Sequence, residues 1–332
     1  MRFAHKEEEE SARSSPREVP GVGFEPTRPY GQCILSASSL PSSSIPALSR
    51  ARPARRVYRR GWRWLGAIAL AFTLAASGCA ANPETTGPPG RALSTAKPGV
   101  LVVGSSFDYK PFEYREGTAL RGFDVEVMEE IGRREGLRVQ WVNTEFETIF
   151  DLLSAGKFDA VAAAATIQPD RERIVSFSDP YFDSRQSLTV NPSMRSAVPS
   201  SDQLEPGDVI GVQTGTIGKD WAEANLAPRG ITIKTFAEIT DAFAELEAGK
   251  ITGIVNDEPS SQAEVRGRPG LKVVQPIDTG EHYGVAVGKT HRDILAAIND
   301  SLKAIIDEGT YKRIFRKYFP GVPVPPEFGG PG

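Results

Sequence analysis

The chain has 332 residues, enough for two ordinary domains, with 39 basic against 42 acidic side chains. Charge is uneven: residues 1–78 carry a net of +6 and residues 79–332 a net of −9. The acidic body argues against sequence-independent nucleic-acid binding, which runs on Lys/Arg–phosphate attraction. The only cysteines are Cys33 and Cys79, and the three histidines stand at 5, 282 and 291, so neither a disulfide framework, a metal site nor a cofactor is expected. No apolar run reaches the roughly 18–20 residues of a membrane span.

Residues 1–56 are rich in Ser, Pro and Arg without an apolar period, which predicts a disordered or mis-annotated extension. The stretch GVGFEPTRPYGQ from Gly21 resembles a peptide translated through a transfer-RNA gene, so Val57 is the expected true start if its codon is start-competent. Residues 57–78 then read as a signal peptide: Arg59, Arg60 and Arg63 precede the apolar run Leu65–Ala76. Ala76-Ser77-Gly78-Cys79 resembles the lipobox of bacterial lipoproteins, although Ala76 stands where Leu is usual. In such proteins the Cys thiol is acylated and becomes the new N-terminus, which makes Cys79 the expected lipidation site; two or three acyl chains anchor firmly. Residues 79–98, rich in Pro, Gly, Thr and Ala, suit a flexible tether.

The body reads as one pattern written twice. Val100–Gly104 is an expected strand. Phe123, Val127, Met128 and Ile131 then mark a helix ended by Gly136, and Val139–Val142 is an expected strand. Ile149, Leu152 and Leu153 mark a helix stopped at Gly156, and the apolar run Ala160–Ala165 reads as a buried parallel strand. In the second copy the same order is expected: strand Val209–Val212, helix 217–225, strand Ile231–Thr235, a helix through Ala242, Phe243 and Leu246 ended at Gly249, and strand Ile251–Val255. LSAGKFDAV from Leu153 and LEAGKITGI from Leu246 share a helix end, a Gly turn and a strand. Two β-α-β-α-β units imply two doubly wound α/β lobes. A return strand Tyr283–Val287 and a helical tail Asp293–Tyr318 are expected to pack on the first lobe. The expected division is 99–188 plus 285–320 for lobe 1, 189–284 for lobe 2, and a tail at 321–332.

Ligands of open α/β sheets lie beyond the carboxyl ends of the strands. That rule selects Ser105, Ser106 and Tyr109, then Phe146, then Thr166 and Arg171 in the first unit. In the second it selects Gln213, Thr214, Gly215, Thr216, Asn256 and Asp257. Arg171 offers a planar fork for a carboxylate, and Asp257 a charge for an ammonium group. Tyr109 and Phe146 can sandwich a side chain, and the loop QTGTIG from Gln213 precedes a helix whose amides suit an anion. A free α-amino acid is the simplest zwitterion that fits. Taken singly, Arg171 reads as a surface cation, Asp257 as a turn or cap, and Tyr109 and Phe146 as core; only their joint placement at strand ends points to a site.

From about Gly99 to Phe319 the chain resembles the family 3 bacterial extracellular solute-binding proteins, amino-acid receptors of ABC importers. The segments that carry this are VVGSSFDYKPFEY (from Val102), LRGFDVEVMEEIG (Leu120), LLSAGKFDAVAAAATIQPDRERIVSFSDPYF (Leu152), VIGVQTGTIG (Val209), LEAGKITGIVNDEP (Leu246) and INDSLKAIIDEGTYKRIFRKYF (Ile298). The resemblance implies the type II periplasmic-binding-protein fold, two lobes joined by a two-crossover hinge, here expected near 186–192 and 280–286. It implies that Arg171 grips the α-carboxylate, with Thr166 and the Thr216 amide assisting. Asp257 would bind the α-ammonium and Tyr109 and Phe146 wall the side-chain pocket, with Ser106, Gln213 and Ala164 also at the ligand. Many members for polar or basic ligands carry Asp where this chain has Ser106, which disfavours a cationic ligand unless Asp108 or Glu113 reaches in. The Ala163–Ala165 run replaces the Ser or Gly often found there and leaves only backbone contacts.

The implied protein is non-enzymatic and monomeric. It is lipid-anchored outside the cell membrane or periplasmic, closes about its hinge on an amino acid, and partners an ABC permease and its ATPase. The alternatives are a sensory ligand-binding module and a cyclohexadienyl dehydratase-like enzyme on the same fold; the latter needs a poised general acid, for which Glu113 and Glu258 are the nearby spare carboxylates.

Overall fold

The computed structural model describes residues 92–194 and 198–330. The expected extension 1–56, signal peptide 57–78, lipidation site Cys79 and most of the tether lie outside the described residues. The final stretch of the expected tether is docked rather than free. Ser94 donates its N–H to Asp293 Oδ2 at 2.6 Å, Ala96 donates to Asp159 Oδ1 at 2.7 Å, and Leu93 packs against the core.

Two five-stranded sheets form the two lobes. In the first the strand order is Arg138–Asn143, Val100–Ser105, Ala160–Val161, Ala286–Gly288, Val175–Phe177. The first three strands are mutually parallel, and the return strand Ala286–Gly288 runs antiparallel to both its neighbours. In the second sheet the order is Thr232–Phe236, Val209–Gln213, Gly253–Asp257, Phe182–Val190, Lys272–Tyr283, again with three parallel strands and antiparallel additions. The order of elements in both copies therefore follows the sequence, and the helix Ile217–Asn225 matches its expected span.

Ala160–Ala165 departs from expectation. Only Ala160 and Val161 are in the sheet, and Ala164 adopts a positive φ of 45°. Its N–H turns away from the ladder to Asp124 Oδ2 at 2.8 Å. A buried carboxylate thus captures the backbone amide that a longer strand would have paired, and the alanines bend into the cleft instead.

The return strand is shorter than Tyr283–Val287 predicts, because Tyr283 ends the second lobe's long strand while Ala286 opens the first lobe's short one. The crossovers are a two-stranded ribbon in which Phe182, Asp183 and Ser184 pair with Tyr283, His282 and Glu281. The outgoing crossover therefore lies upstream of 186–192, and a boundary at 188/189 falls inside the continuous strand Phe182–Val190.

The helical tail is two helices, Arg292–Asp307 and Thr310–Tyr318, broken by Gly309 at φ 73°. Both pack on the first lobe. Ser301 donates to Glu135 at 2.6 Å, Tyr318 to Glu126 at 2.6 Å, and Tyr311 to the Tyr181 carbonyl at 2.7 Å. Phe328, in the terminal segment, rests 5.4 Å from the Tyr311 ring. An aromatic cluster of Phe112, Phe123, Phe182, Tyr283, Phe315 and Phe319 joins tail, hinge ribbon and first lobe; such edge and offset contacts are worth about 0.5–1.5 kcal/mol per pair beyond area burial. Phe112 enters it through a small three-stranded sheet, Asp108–Tyr109, Glu113–Glu116 and Ala119–Arg121, whose short strands carry too little periodicity to be read from sequence.

Candidate functional site

The strand ends of the two lobes face one shared cavity. All nine residues expected at the ligand line it: Ser106, Tyr109, Phe146, Ala164, Thr166 and Arg171 from the first lobe, Gln213, Thr216 and Asp257 from the second. Glu113, Ala163, Ile217 and Glu281 complete the lining. Ser105 stays buried in its strand, outside the cavity, and Thr214 donates to the Phe236 carbonyl at 3.1 Å.

Arg171 is presented by the one-turn helix Pro169–Glu172, which Pro169 starts in the position where a missing N–H costs nothing. The residue is only 6% exposed. Nη1 donates to the Thr166 carbonyl at 2.7 Å and Nη2 to the Gly215 carbonyl at 3.0 Å. The guanidinium lies over Phe146 and Phe150, at 5.1 and 4.7 Å. Burial lowers its pKa to about 10, against the opposing pull of Asp257 and Glu281, so it stays charged at neutral pH. Two of its five N–H donors are spent on backbone; the remainder of the fork is available for a carboxylate.

Thr216 caps the helix Ile217–Asn225: its Oγ1 accepts from Lys219 N at 3.3 Å and donates to the Gln213 carbonyl at 2.8 Å. The hydroxyl is thus committed to the protein, and what this loop offers an anion is its backbone amides and the positive end of the helix. Gln213 is likewise turned to the Ala237 carbonyl at 3.0 Å.

At the opposite end Asp257 closes the strand Gly253–Asp257 and is 8% exposed. It accepts from Gln186 Nε2 and from the Tyr283 hydroxyl. Beside it sits a second acid that sequence reasoning did not select. Glu281 accepts from Gln186 Nε2 at 2.8 Å, from Thr279 Oγ1 at 2.6 Å and from Thr166 Oγ1 at 2.8 Å. The Thr166 hydroxyl therefore serves Glu281, across the lobes. Burial, reinforced by Glu281, raises the Asp257 carboxyl to about 7. Glu281 was missed because its strand Lys272–Tyr283 is an antiparallel addition outside the two repeats whose strand ends the rule examines. The available signal was the buried alternation Ile277, Glu281, Tyr283 on a strand with exposed neighbours.

The Tyr109 hydroxyl donates to Asn256 Oδ1 at 3.1 Å, latching the lobes above the cavity. Ser106 donates to Asp108 Oδ1 at 2.9 Å, so its hydroxyl is held by an acid two residues on. Glu258 is held outside the cavity by Arg185 at 2.5 Å.

Residues 101–321 match the model of the bacterial extracellular solute-binding proteins, family 3. The chain belongs to that family. A probable histidine-binding protein of Neisseria gonorrhoeae is 30% identical over 262 residues, 77% of this chain and 95% of the relative. Among solved structures, an ancestral arginine-binding protein bound to arginine aligns with a TM-score of 0.62 at 31% identity, over 67% of this chain and 98% of the other. The ancestral amino acid-binding protein AncCDT-1, a precursor of cyclohexadienyl dehydratase, aligns with a TM-score of 0.62 at 32% identity, over 67% and 96%. The type II periplasmic-binding fold of this solute-binding protein accords with both. Among its described residues no helix is long and apolar enough to cross a membrane.

Proposed function

We propose that this solute-binding protein captures a free amino acid between its lobes and delivers it to the permease and ATPase of an ABC importer. The observation that carries the reading is the placement of Arg171 and Asp257 on opposite lobes, at opposite ends of one shared cavity. A ligand α-carboxylate on the free N–H groups of Arg171 and the Thr216 loop amides, with its α-ammonium on Asp257 and Glu281, touches both lobes at once. Such a ligand favours the closed arrangement because the open one offers only one end of the site. A micromolar dissociation constant corresponds to about −8 kcal/mol, within reach of two charge-assisted contacts and an aromatic clamp after ordering costs.

The roles of Ser106, Tyr109, Phe146, Ala164, Thr166 and Gln213 belong to the same reading: Tyr109 and Phe146 flank the ligand side chain, Ala164 presents backbone, and Thr166 orients Glu281. The import reading extends to the N-terminal segment, with a signal peptide removed before Cys79 and acyl chains on Cys79 holding the protein outside the membrane. A Cys79→Ala variant released into the medium, without incorporated fatty acid, would support this part; retention at the membrane would overturn it.

A thermal-shift screen of the common amino acids, followed by calorimetry, tests the central claim, because a ligand that binds only the folded state raises its melting temperature. A hit whose affinity collapses in Arg171→Ala and Asp257→Ala supports the bridge, whereas undiminished affinity in either variant removes it. The dehydratase alternative is decided by prephenate turnover.

A further inference from the structure

The ammonium end of the cavity holds two acids where a single ammonium group needs one. Asp257 and Glu281 both line the cavity and both are buried. Each accepts from the same nitrogen, Gln186 Nε2, so the two carboxyl groups lie within the span of two hydrogen bonds of each other. Gln186 commits its N–H groups to this pair and leaves its own Oε1 buried without a donor. The other donors to the pair are hydroxyls: Tyr283 for Asp257, and Thr279 at 2.6 Å and Thr166 at 2.8 Å for Glu281.

No positive charge enters this arrangement. Arg171, the one cation among the lining residues, gives its hydrogen bonds to the Thr166 and Gly215 carbonyls rather than to either acid. The Arg185 and His282 side chains of the hinge ribbon are exposed and paired with Glu258 and Asp183, each at 2.5 Å. Asp220 acts on Arg171, and Asp278 on Arg185. Glu113 shares a hydrogen bond with Asp124, and burial holds its carboxyl well above the usual carboxylate range. Burial also raises the Tyr109 and Tyr283 hydroxyls, which therefore stay donors. Two ionised carboxylates this close, out of water and with neutral donors only, repel strongly, and the repulsion is relieved when one of them keeps a proton. The position of the Asp257 carboxyl, at about 7, agrees with such a pair.

We propose that Asp257 and Glu281 hold one proton between them in the ligand-free protein and that an arriving α-ammonium group expels it, so that capture of an amino acid releases a proton, with Glu281 as the positioning residue that couples the two events. The inference rests on the amino-acid reading above and deepens it. The ammonium brings the positive charge and the N–H donors that the pair lacks. With it in place both carboxyls are ionised; one O–H bond breaks, its electron pair stays on the carboxylate, and the proton passes to the buffer. Affinity then weakens as the pH falls, because the free protein binds a proton that the loaded protein does not.

The test is titration calorimetry with whichever common L-amino acid raises the melting temperature most. It is run at pH 6 in phosphate and in imidazole, whose different ionisation enthalpies turn released protons into a difference in heat. Wild type and Glu281→Gln are compared, and the difference between them cancels any titration of the amino acid's own side chain. The expected result is about 0.7–1 proton released per amino acid bound by wild type, with affinity rising about tenfold from pH 6 to pH 8, as one group titrating near neutrality requires. In Glu281→Gln the release is expected to fall to less than half while binding persists, which also shows that the variant is folded. If the variant does not fold, the wild-type proton count and pH dependence decide. No proton released by wild type, the same affinity at both pH values, or an equal count in both proteins overturns the inference and leaves amino-acid capture intact. Failure of every amino acid to bind overturns both.

Discussion

Arg171 Nη2 donates to the Gly215 carbonyl across the cleft at 3.0 Å, so the guanidinium that faces the cavity also ties the first lobe to the second. Its other terminal nitrogen is fixed to Thr166 in its own lobe at 2.7 Å. The guanidinium lining the cavity and the tie between the lobes are therefore one side chain, and under the proposed reading it needs a planar fork rather than a point charge. Arg171→Lys is expected to lower affinity for the cognate amino acid roughly 10–100-fold, the equivalent of about 1.5–3 kcal/mol for a charge-assisted hydrogen bond. Calorimetric affinities within threefold of wild type would show that the fork is not used.

Asp257 is held at about 7 by burial and by Glu281, far above an unfolded aspartate. Under the proposed reading ligand affinity is expected to fall as the pH drops through 7, because protonation removes the charge offered to the α-ammonium. In the ligand-free protein the sign is opposite: the folded state retains a proton that the unfolded chain releases, so stability is lost as pH rises through 7. Asp257→Asn should then melt above wild type at pH 8 without ligand, by about 1–3 kcal/mol, and bind ligand at least tenfold more weakly. Scanning calorimetry at pH 8 and pH 5 checks this; an advantage that persists undiminished at pH 5 contradicts it.

Asp108 and Asp124 are both raised to about 6, each chiefly by burial. Each favours the folded state in protonated form, fully so below the unfolded value near 4, and loses that contribution as pH rises through 6. The ligand-free protein is expected to be more stable at pH 5 than at pH 8, measured by urea titration at both. Equal midpoints would refute the coupling.

Gly122 has φ 143°, and a Cβ built there would lie 1.8 Å from the Phe112 carbonyl oxygen. The contact seats the three-stranded sheet, and with it Glu113 and Tyr109, against the helix Phe123–Arg134. Gly122→Ala is expected to destabilise by 3 kcal/mol or more, about the scale of severe backbone and packing strain. Gly117→Ala, at φ 62° with nothing within 4 Å, is expected to cost only about 1 kcal/mol. Comparable denaturation midpoints for the two variants would be inconsistent with this account.

Much of the candidate site is legible in the sequence. Arg171 and Asp257 follow strands whose apolar runs are continuous, and the strand-end rule brings them to one cleft. Glu281 was not selected, and Glu113 was named only conditionally, because both sit on hinge and hairpin strands with mixed burial, where period-2 alternation is too short to separate inward from outward. The alanine run misled for a related reason: its composition suits a parallel strand, yet Asp124, some forty positions earlier, takes the Ala164 amide.

The sequence alone determined the twofold repeat, the two lobes and the pair of opposed charges, because hydrophobic periodicity and strand ends are local properties of the chain. Only the tertiary structure decided the charge balance of the cavity. Whether a carboxylate has a partner depends on groups distant in sequence, and burial sets the cost when it has none.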